Sequence, residues 1–294
     1  MRDVAQMTFT SSVIQEPKEF VALDGYPLRG RHVYSGQQRA RLLVAGATGV
    51  PQGFYRAFAE YAALRGFEVF TFDYRGVGES APKSLRGFEM DLRDWARLDL
   101  AGVIANLDGD MPIHLVGHSY GGHALGILPD LSPIASLHSF ATGAGWHGWM
   151  PQLERFRVKF LWNVMGPVVV KKYGYLSWKR FGFGEDLPLG VFLQWKHWCS
   201  FPNYWFDDPE LGLELSHMFS RVTLPITAYN SIDDRWATPT SRDVFFSRYT
   251  DAKVNLVDLN PASYGVRKIG HMGYFRRGLE KLWDEALAQM GTLG

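Results

Sequence analysis

Residues 115–122 read LVGHSYGG: an apolar run stops at Gly117, then His118, Ser119 and Tyr120 lead into the pair Gly121-Gly122. A strand that ends in Gly-x-Ser-x-Gly and passes into a helix makes a sharp turn, in which the serine takes a strained backbone conformation. Glycines on either side remove the Cβ atoms that would otherwise collide there. The gain is a hydroxyl held at the C-terminal edge of the strand, above a helix N-terminus whose free N–H groups favour developing negative charge. The spacing marks Ser119 as a candidate nucleophile, against the plainer reading of an ordinary strand-to-helix loop.

Working outward, short apolar β-branched runs alternate with helical patterns, which predicts βαβ units and a mostly parallel sheet. The segment 19–35, EFVALDGYPLRGRHVYS, reads as an opening antiparallel hairpin with its turn at Asp24-Gly25. Strands are expected at RLLVAGA, FEVFTFDYRG, IHLVGHS, IASLHSFAT, LPITAYNS and KVNLVDL. Helices are expected over 54–65, 88–107, just after Ser119, 240–249 and 274–290.

This rhythm breaks between about Gly145 and Arg221. The interval carries Trp146, Trp149, Trp162, Trp178, Trp195, Trp198 and Trp205, seven of the ten tryptophans, with little strand character. It is read as a helical insertion between two late strands, and so many aromatics argue against disorder. The expected organisation is a core of residues 1–144 and 222–294 with a cap at 145–221.

Composition narrows the partners. With 31 basic and 30 acidic residues the formal net charge is +1, so no global field draws the chain to nucleic acid or an anionic membrane. A small molecule is the expected partner. Cys199 is the only cysteine, which excludes an intramolecular disulfide. The N-terminal twenty residues hold acids at Asp3, Glu16 and Glu19 and no apolar block long enough for a secretory leader. The most apolar run, 160–170, is broken by Asn163, Gly166 and Pro167, well short of the ~20 residues a membrane span needs. A cytoplasmic location without a membrane span is the expectation.

Together with LVGHSYGG, the segment DYRGVGES, Asp73 to Ser80, resembles the α/β-hydrolase fold, in particular its capped serine hydrolases. The resemblance covers about residues 20–290 apart from the insertion. It implies a nucleophile, acid, histidine order along the chain, with a carboxylate orienting the imidazole that activates the serine. Of nine histidines only His271, in RKIGHMGYF, follows the last expected strand, matching the family histidine. The acid should follow LPITAYNS, where Asp233 and Asp234 are neighbours. Pro239 fits the family pattern, but the glycine usual before the acid is missing. The register favours Asp234, with Asp233 left to cap the turn or the following helix.

The resemblance also implies two backbone N–H donors for an oxyanion. One is Tyr120, directly after the nucleophile. The other lies in AGATGVPQGFY: aligning Ala45-Gly46 with the family's His-Gly gives Ala47, preferred here, while aligning Thr48-Gly49 gives Val50. Asp73 and Arg75 are read as structural. His118 is expected to point away from the hydroxyl and bind locally, and His114 and His138 to be core residues. His123, His147, His197 and His217 show no metal-ligand spacing, so no metal or cofactor is expected. Cys199 is read as a buried apolar residue, and KKYGYLSWKR (171–180) as a solvated cap surface. The implied function is hydrolysis of a carboxylic ester, thioester or lactone of an apolar or aromatic small molecule through an acyl-enzyme. Acyl transfer to another acceptor and ligand binding without turnover are the alternatives.

Overall fold

The computed structural model describes residues 12–182 and 184–291; the first eleven residues of the N-terminal stretch discussed above lie outside these. The hairpin forms from β1 (Ile14–Val21) and β2 (Pro27–Tyr34), closed by Gly25 at φ 88°, a conformation that costs glycine nothing. After it come β3 (Ala40–Ala45), β4 (Phe67–Phe72), β5 (Ile113–His118), β6 (Ile134–Phe140), β7 (Ile226–Ser231) and β8 (Val254–Leu259). The eight strands make one sheet in the order β1-β2-β4-β3-β5-β6-β7-β8. Only β1 with β2 and β2 with β4 are antiparallel; the remaining pairs are parallel. The expected mostly parallel α/β sheet is present.

Parallel strands covered on both faces read as continuous apolar runs, because successive side chains point to opposite faces. Strand β3 shows this directly: Leu43 and Ala45 enter one hydrophobic cluster while Leu42 and Val44 enter the other. The second cluster is closed by α1 (Arg56–Ala63) and α9 (Glu280–Gly291). The first is closed by a helical stretch that is wide-wound over Trp95–Leu100 and regular over α2 (Ala101–Ala105), and by side chains of the interval between β6 and β7. That interval holds α4 (Gln152–Phe160), α5 (Gly166–Tyr173), α6 (Leu189–Trp198) and α7 (Gly212–Ser220). Trp162, Trp178, Trp198 and Trp205 are buried there in the same cluster as the sheet residues. Among the described residues no helix is long and apolar enough to cross a membrane.

Several helices are shorter than the sequence pattern predicts. The pattern at 88–107 becomes helix only from about Asp94, because Asp91 and Asp94 bind nearby amides and Arg93, which keeps 91–93 out of the helix. The helix after Ser119, α3 (Tyr120–His123), lasts one turn before tightening over Ala124–Ile127. The patterns at 240–249 and 274–290 form α8 (Pro239–Phe246) and α9, the latter entered through turns at 274–279. The segment 171–180 is also not wholly a surface. Its bases Lys171, Lys172, Lys179 and Arg180 are exposed, but Leu176, Ser177 and Trp178 are buried because they turn inward at a two-residue pairing of Leu176 with Leu187.

Candidate active site

Ser119 sits directly after β5 at φ 51° and ψ −108°, a backbone state that a non-glycine residue holds only when its surroundings enforce it. Three bonds do so. Its amide donates to the Phe140 carbonyl at 2.8 Å, and its own carbonyl accepts from the Thr142 hydroxyl at 2.8 Å and the Gly122 amide at 3.0 Å. The glycines of LVGHSYGG are required by close approach rather than by φ. A Cβ on Gly121 would strike the Ala45 carbonyl, and one on Gly122 the hydroxyls of Thr142 and Ser139.

His271 lies on the loop between β8 and α9, and Asp234 on the turn after β7, so all three side chains meet at the C-terminal edge of the parallel strands. His271 Nε2 is 3.2 Å from Ser119 Oγ, and His271 Nδ1 is 3.0 Å from Asp234 Oδ2. A carboxylate only accepts, so it fixes the proton on Nδ1 and leaves Nε2 free to accept from the serine. The other Asp234 oxygen accepts the amides of Trp236 at 2.8 Å and Ala237 at 3.0 Å. Asp234 is fully buried as a side chain, while that of His271 is 22% exposed, so a small molecule can reach the imidazole.

The neighbouring aspartate has a different position. Asp233 accepts from Ser231 Oγ at 2.6 Å and from the amides of Gly270 at 2.8 Å and Ile269 at 3.1 Å. It therefore ties the His271 loop to the acid turn. Of the two expected places for it, the turn or the following helix, the helix is excluded, because α8 is capped by Thr238, whose hydroxyl accepts from the Ser241 amide.

The second oxyanion donor also needs correction. The Ala47 amide donates to the Tyr55 hydroxyl at 2.8 Å, and the alternative, Val50, closes a turn by donating to the Ala47 carbonyl at 3.1 Å. Neither is free, because the loop folds back on itself and onto Tyr55. Between them the Thr48 amide donates to nothing among the described residues, and Thr48 lines the cavity at Ser119. The Tyr120 amide likewise has no acceptor among the described residues.

Sequence reasoning did not foresee the bridge from Tyr55 through His118 to the His271 loop. Burial pushes the His118 imidazole down to about 3, so it is neutral. Its ring bridges the Tyr55 hydroxyl, 3.0 Å from Nδ1, and the His271 carbonyl, 2.9 Å from Nε2. Only one proton arrangement satisfies every group: Ala47 N–H to Tyr55, Tyr55 O–H to Nδ1, and Nε2–H to His271. As expected, His118 binds locally and away from Ser119. Asp73 accepts the amides of Gln52 and Glu79, and Arg75 pairs with Asp99 and Asp24, so both hold loops. His114 is buried against Ser136 Oγ at 2.8 Å, and His138 is buried as well. Cys199 is buried in apolar surroundings, which pushes its thiol well up.

A cavity of about 690 Å³ opens at Ser119 and His271. Its walls include Val158, Leu161, Met165, Trp178, Trp195 and Trp236. Five of these come from the interval between β6 and β7: Val158 on α4, Leu161 and Met165 on the bend after it, Trp178 on the turn before α6 and Trp195 on α6; Trp236 follows Asp234. The Trp236 indole N–H donates to Glu154 on α4 at 2.9 Å, tying α4 to the acid turn.

The structure resembles that of DcsB in complex with its substrate analogue, at 16% identity and TM-score 0.63, covering 96% of this chain and 100% of that one. It also resembles the esterase Pf2001 of Pyrococcus furiosus (13%, TM-score 0.55, covering 95% and 91%). A third similar structure is Est816, described as an N-acyl homoserine lactone degrading enzyme (16%, TM-score 0.58, covering 92% and 99%). At such identities these likenesses speak for the fold. No curated protein matches the chain significantly. The profile of the alpha/beta hydrolase family matches residues 42–274, from β3 through the His271 loop, and the chain belongs to that family.

Proposed function

We propose that this chain is a serine hydrolase that cleaves a carboxylic ester, thioester or lactone with an apolar acyl group. The observation that carries the reading is the continuous contact from Ser119 Oγ through His271 to Asp234, opening on a cavity lined largely by apolar side chains. His271 Nε2 takes the Ser119 proton as Oγ bonds to the carbonyl carbon. The amides of Tyr120 and Thr48 are the proposed donors to the resulting oxyanion. Collapse breaks the bond to the leaving group, which receives the proton from Nε2. Water then repeats the sequence in the second half: its proton goes to Nε2, its oxygen bonds to the acyl carbon, and Ser119 leaves with the proton as free acid is released. Asp234 keeps the imidazole oriented and stabilises its cationic form throughout. Residues 145–221 act as the cap that shapes the acyl pocket, since aromatic walls exclude water and suit apolar or aromatic groups.

Intact mass after incubation with a fluorophosphonate tests this reading. One adduct is expected on the wild type and none on Ser119→Ala, together with hydrolysis of a p-nitrophenyl ester by the wild type alone. A wild type that carries no adduct and releases no p-nitrophenol overturns the proposal.

A further inference from the structure

His271 borders a second space. A groove of about 510 Å³ adjoins the apolar cavity and shares Glu154, Arg157, Trp236, His271 and Met272 with it. Its chemistry is the opposite. Arg157, Arg235, Lys268, Arg276 and Arg277 line it, five cations against the carboxylates of Glu154 and Asp233, on a chain whose formal net charge is only +1. Asp233 accepts the His271 loop amides, and Glu154 accepts the Trp236 indole and, at 3.5 Å, Arg157. Arg157 and Arg277 reach an acid only at 3.5 Å, and Arg235, Lys268 and Arg276 have no acidic partner among the described residues. The cations come from three separate segments: α4, the acid turn and the His271 loop.

The reaction gives this groove a direction. The leaving group must lie against His271 to receive its proton, and the apolar cavity suits the acyl chain. What extends past His271 into the groove then belongs to the leaving group. We propose that the groove is a subsite for a phosphate-bearing leaving group, an inference that rests on the hydrolase reading of Ser119 and His271. Phosphate is favoured over a single carboxylate because the guanidinium forks of Arg157, Arg235, Arg276 and Arg277 match its oxygens in pairs. Cations spread over three segments also suit more than one negative charge. Two kinds of acyl compound carry that chemistry, a thioester of coenzyme A and an acyl glycerophosphate.

The test compares kcat/KM within two matched pairs: hexanoyl-coenzyme A against S-hexanoyl-N-acetylcysteamine, and 1-hexanoyl-glycerol 3-phosphate against 1-hexanoyl-glycerol. The wild type should prefer the phosphate-bearing member of at least one pair by about tenfold at low ionic strength, since each exposed cation contributes little alone. The pair showing the preference identifies the source of the phosphate. Arg235→Ala/Lys268→Ala/Arg276→Ala should bring that ratio close to one; the three side chains are exposed, so the fold should be retained. A ratio under about threefold in both pairs, or a preference that the triple variant keeps, overturns the subsite while leaving the hydrolase reading intact. Absence of turnover on all four compounds together with no fluorophosphonate adduct overturns both. As a readout without turnover, Ser119→Ala should bind coenzyme A more tightly than pantetheine in calorimetry, and equal binding counts against the coenzyme A arm.

Discussion

At the residue scale, the adjacent acids Asp233 and Asp234 show how one position decides a role. Strand β7 ends at Ser231, and the turn that follows sends Asp234 inward to His271 Nδ1 while Asp233 faces the amides of residues 269 and 270. The two substitutions to asparagine should therefore differ. Asp234→Asn puts an amide where Nδ1–H must be accepted, and kcat on an aryl ester should fall by about 10⁴ with KM little changed. Asp233→Asn keeps one accepting oxygen, so its main effect should be a loss of roughly 1–2 kcal/mol in unfolding free energy, with kcat reduced tenfold or less. Steady-state kinetics and denaturant melts on both proteins check this; equal losses in kcat would reassign the orienting carboxylate.

At the element scale, the site depends on loops held by few contacts. Helix α4 meets the acid turn through Trp236 and Glu154, and the Trp236 ring also stands 6.1 Å from that of His271. Trp236→Phe removes the bond to Glu154 and keeps most of the apolar wall. KM for an apolar ester is expected to rise about three- to tenfold with kcat within twofold, consistent with one hydrogen bond to a charged acceptor. Progress curves across a range of ester chain lengths measure this, and an effect confined to kcat would place Trp236 in the chemistry instead. Strands β3 to β7 were readable in the sequence because burial on both faces leaves continuous apolar runs. The helix boundaries were less readable, since the local bonds of Asp91 and Asp94 compete with helix at 88–93 in a way that periodicity does not register.

At the scale of the whole molecule, the two-sided core encloses histidines that have no room to be charged. Burial pushes His118 and His138 down to about 3 and His123 to about 4. In the unfolded chain each returns to its ordinary value near 6.5, so below that pH the unfolded state binds protons the folded state does not. The histidines' share of the stability should be full above pH 6.5 and fall as pH drops towards 4, offset in part by Asp99, which burial pushes up to about 6, and by Asp73, which burial also raises. Asp24 and Glu68 are held below their usual range chiefly by hydrogen bonds to Arg75 and His32, and Asp91, although burial alone would raise it, is held below by its bonds to Arg93; all three add loss of the same sign at lower pH. His138 Nδ1 has no hydrogen-bond partner, so His138→Leu should remove one titrating site without leaving a new orphan. Denaturation midpoints from pH 7 to 4.5 should fall less steeply for that variant than for the wild type. Parallel curves would mean that His138 does not contribute to the acid sensitivity.

The sequence by itself determined the sheet class and the turn at Ser119, because these follow from local periodicity and from backbone sterics at a few glycines, while the expected order of serine, acid and histidine along the chain came from the family resemblance. It also narrowed the acid to two residues. Only the tertiary structure decided which aspartate faces His271, that the Ala47 and Val50 amides are already engaged, and that His118 and Tyr55 link two loops 153 and 63 residues apart from His118's own place in the chain. The cationic groove belongs to this second group. Its residues come from α4, the turn after β7 and the His271 loop, and no pattern along the chain brings such distant charges together; only the closure of the sheet and the bond that holds α4 to Trp236 do.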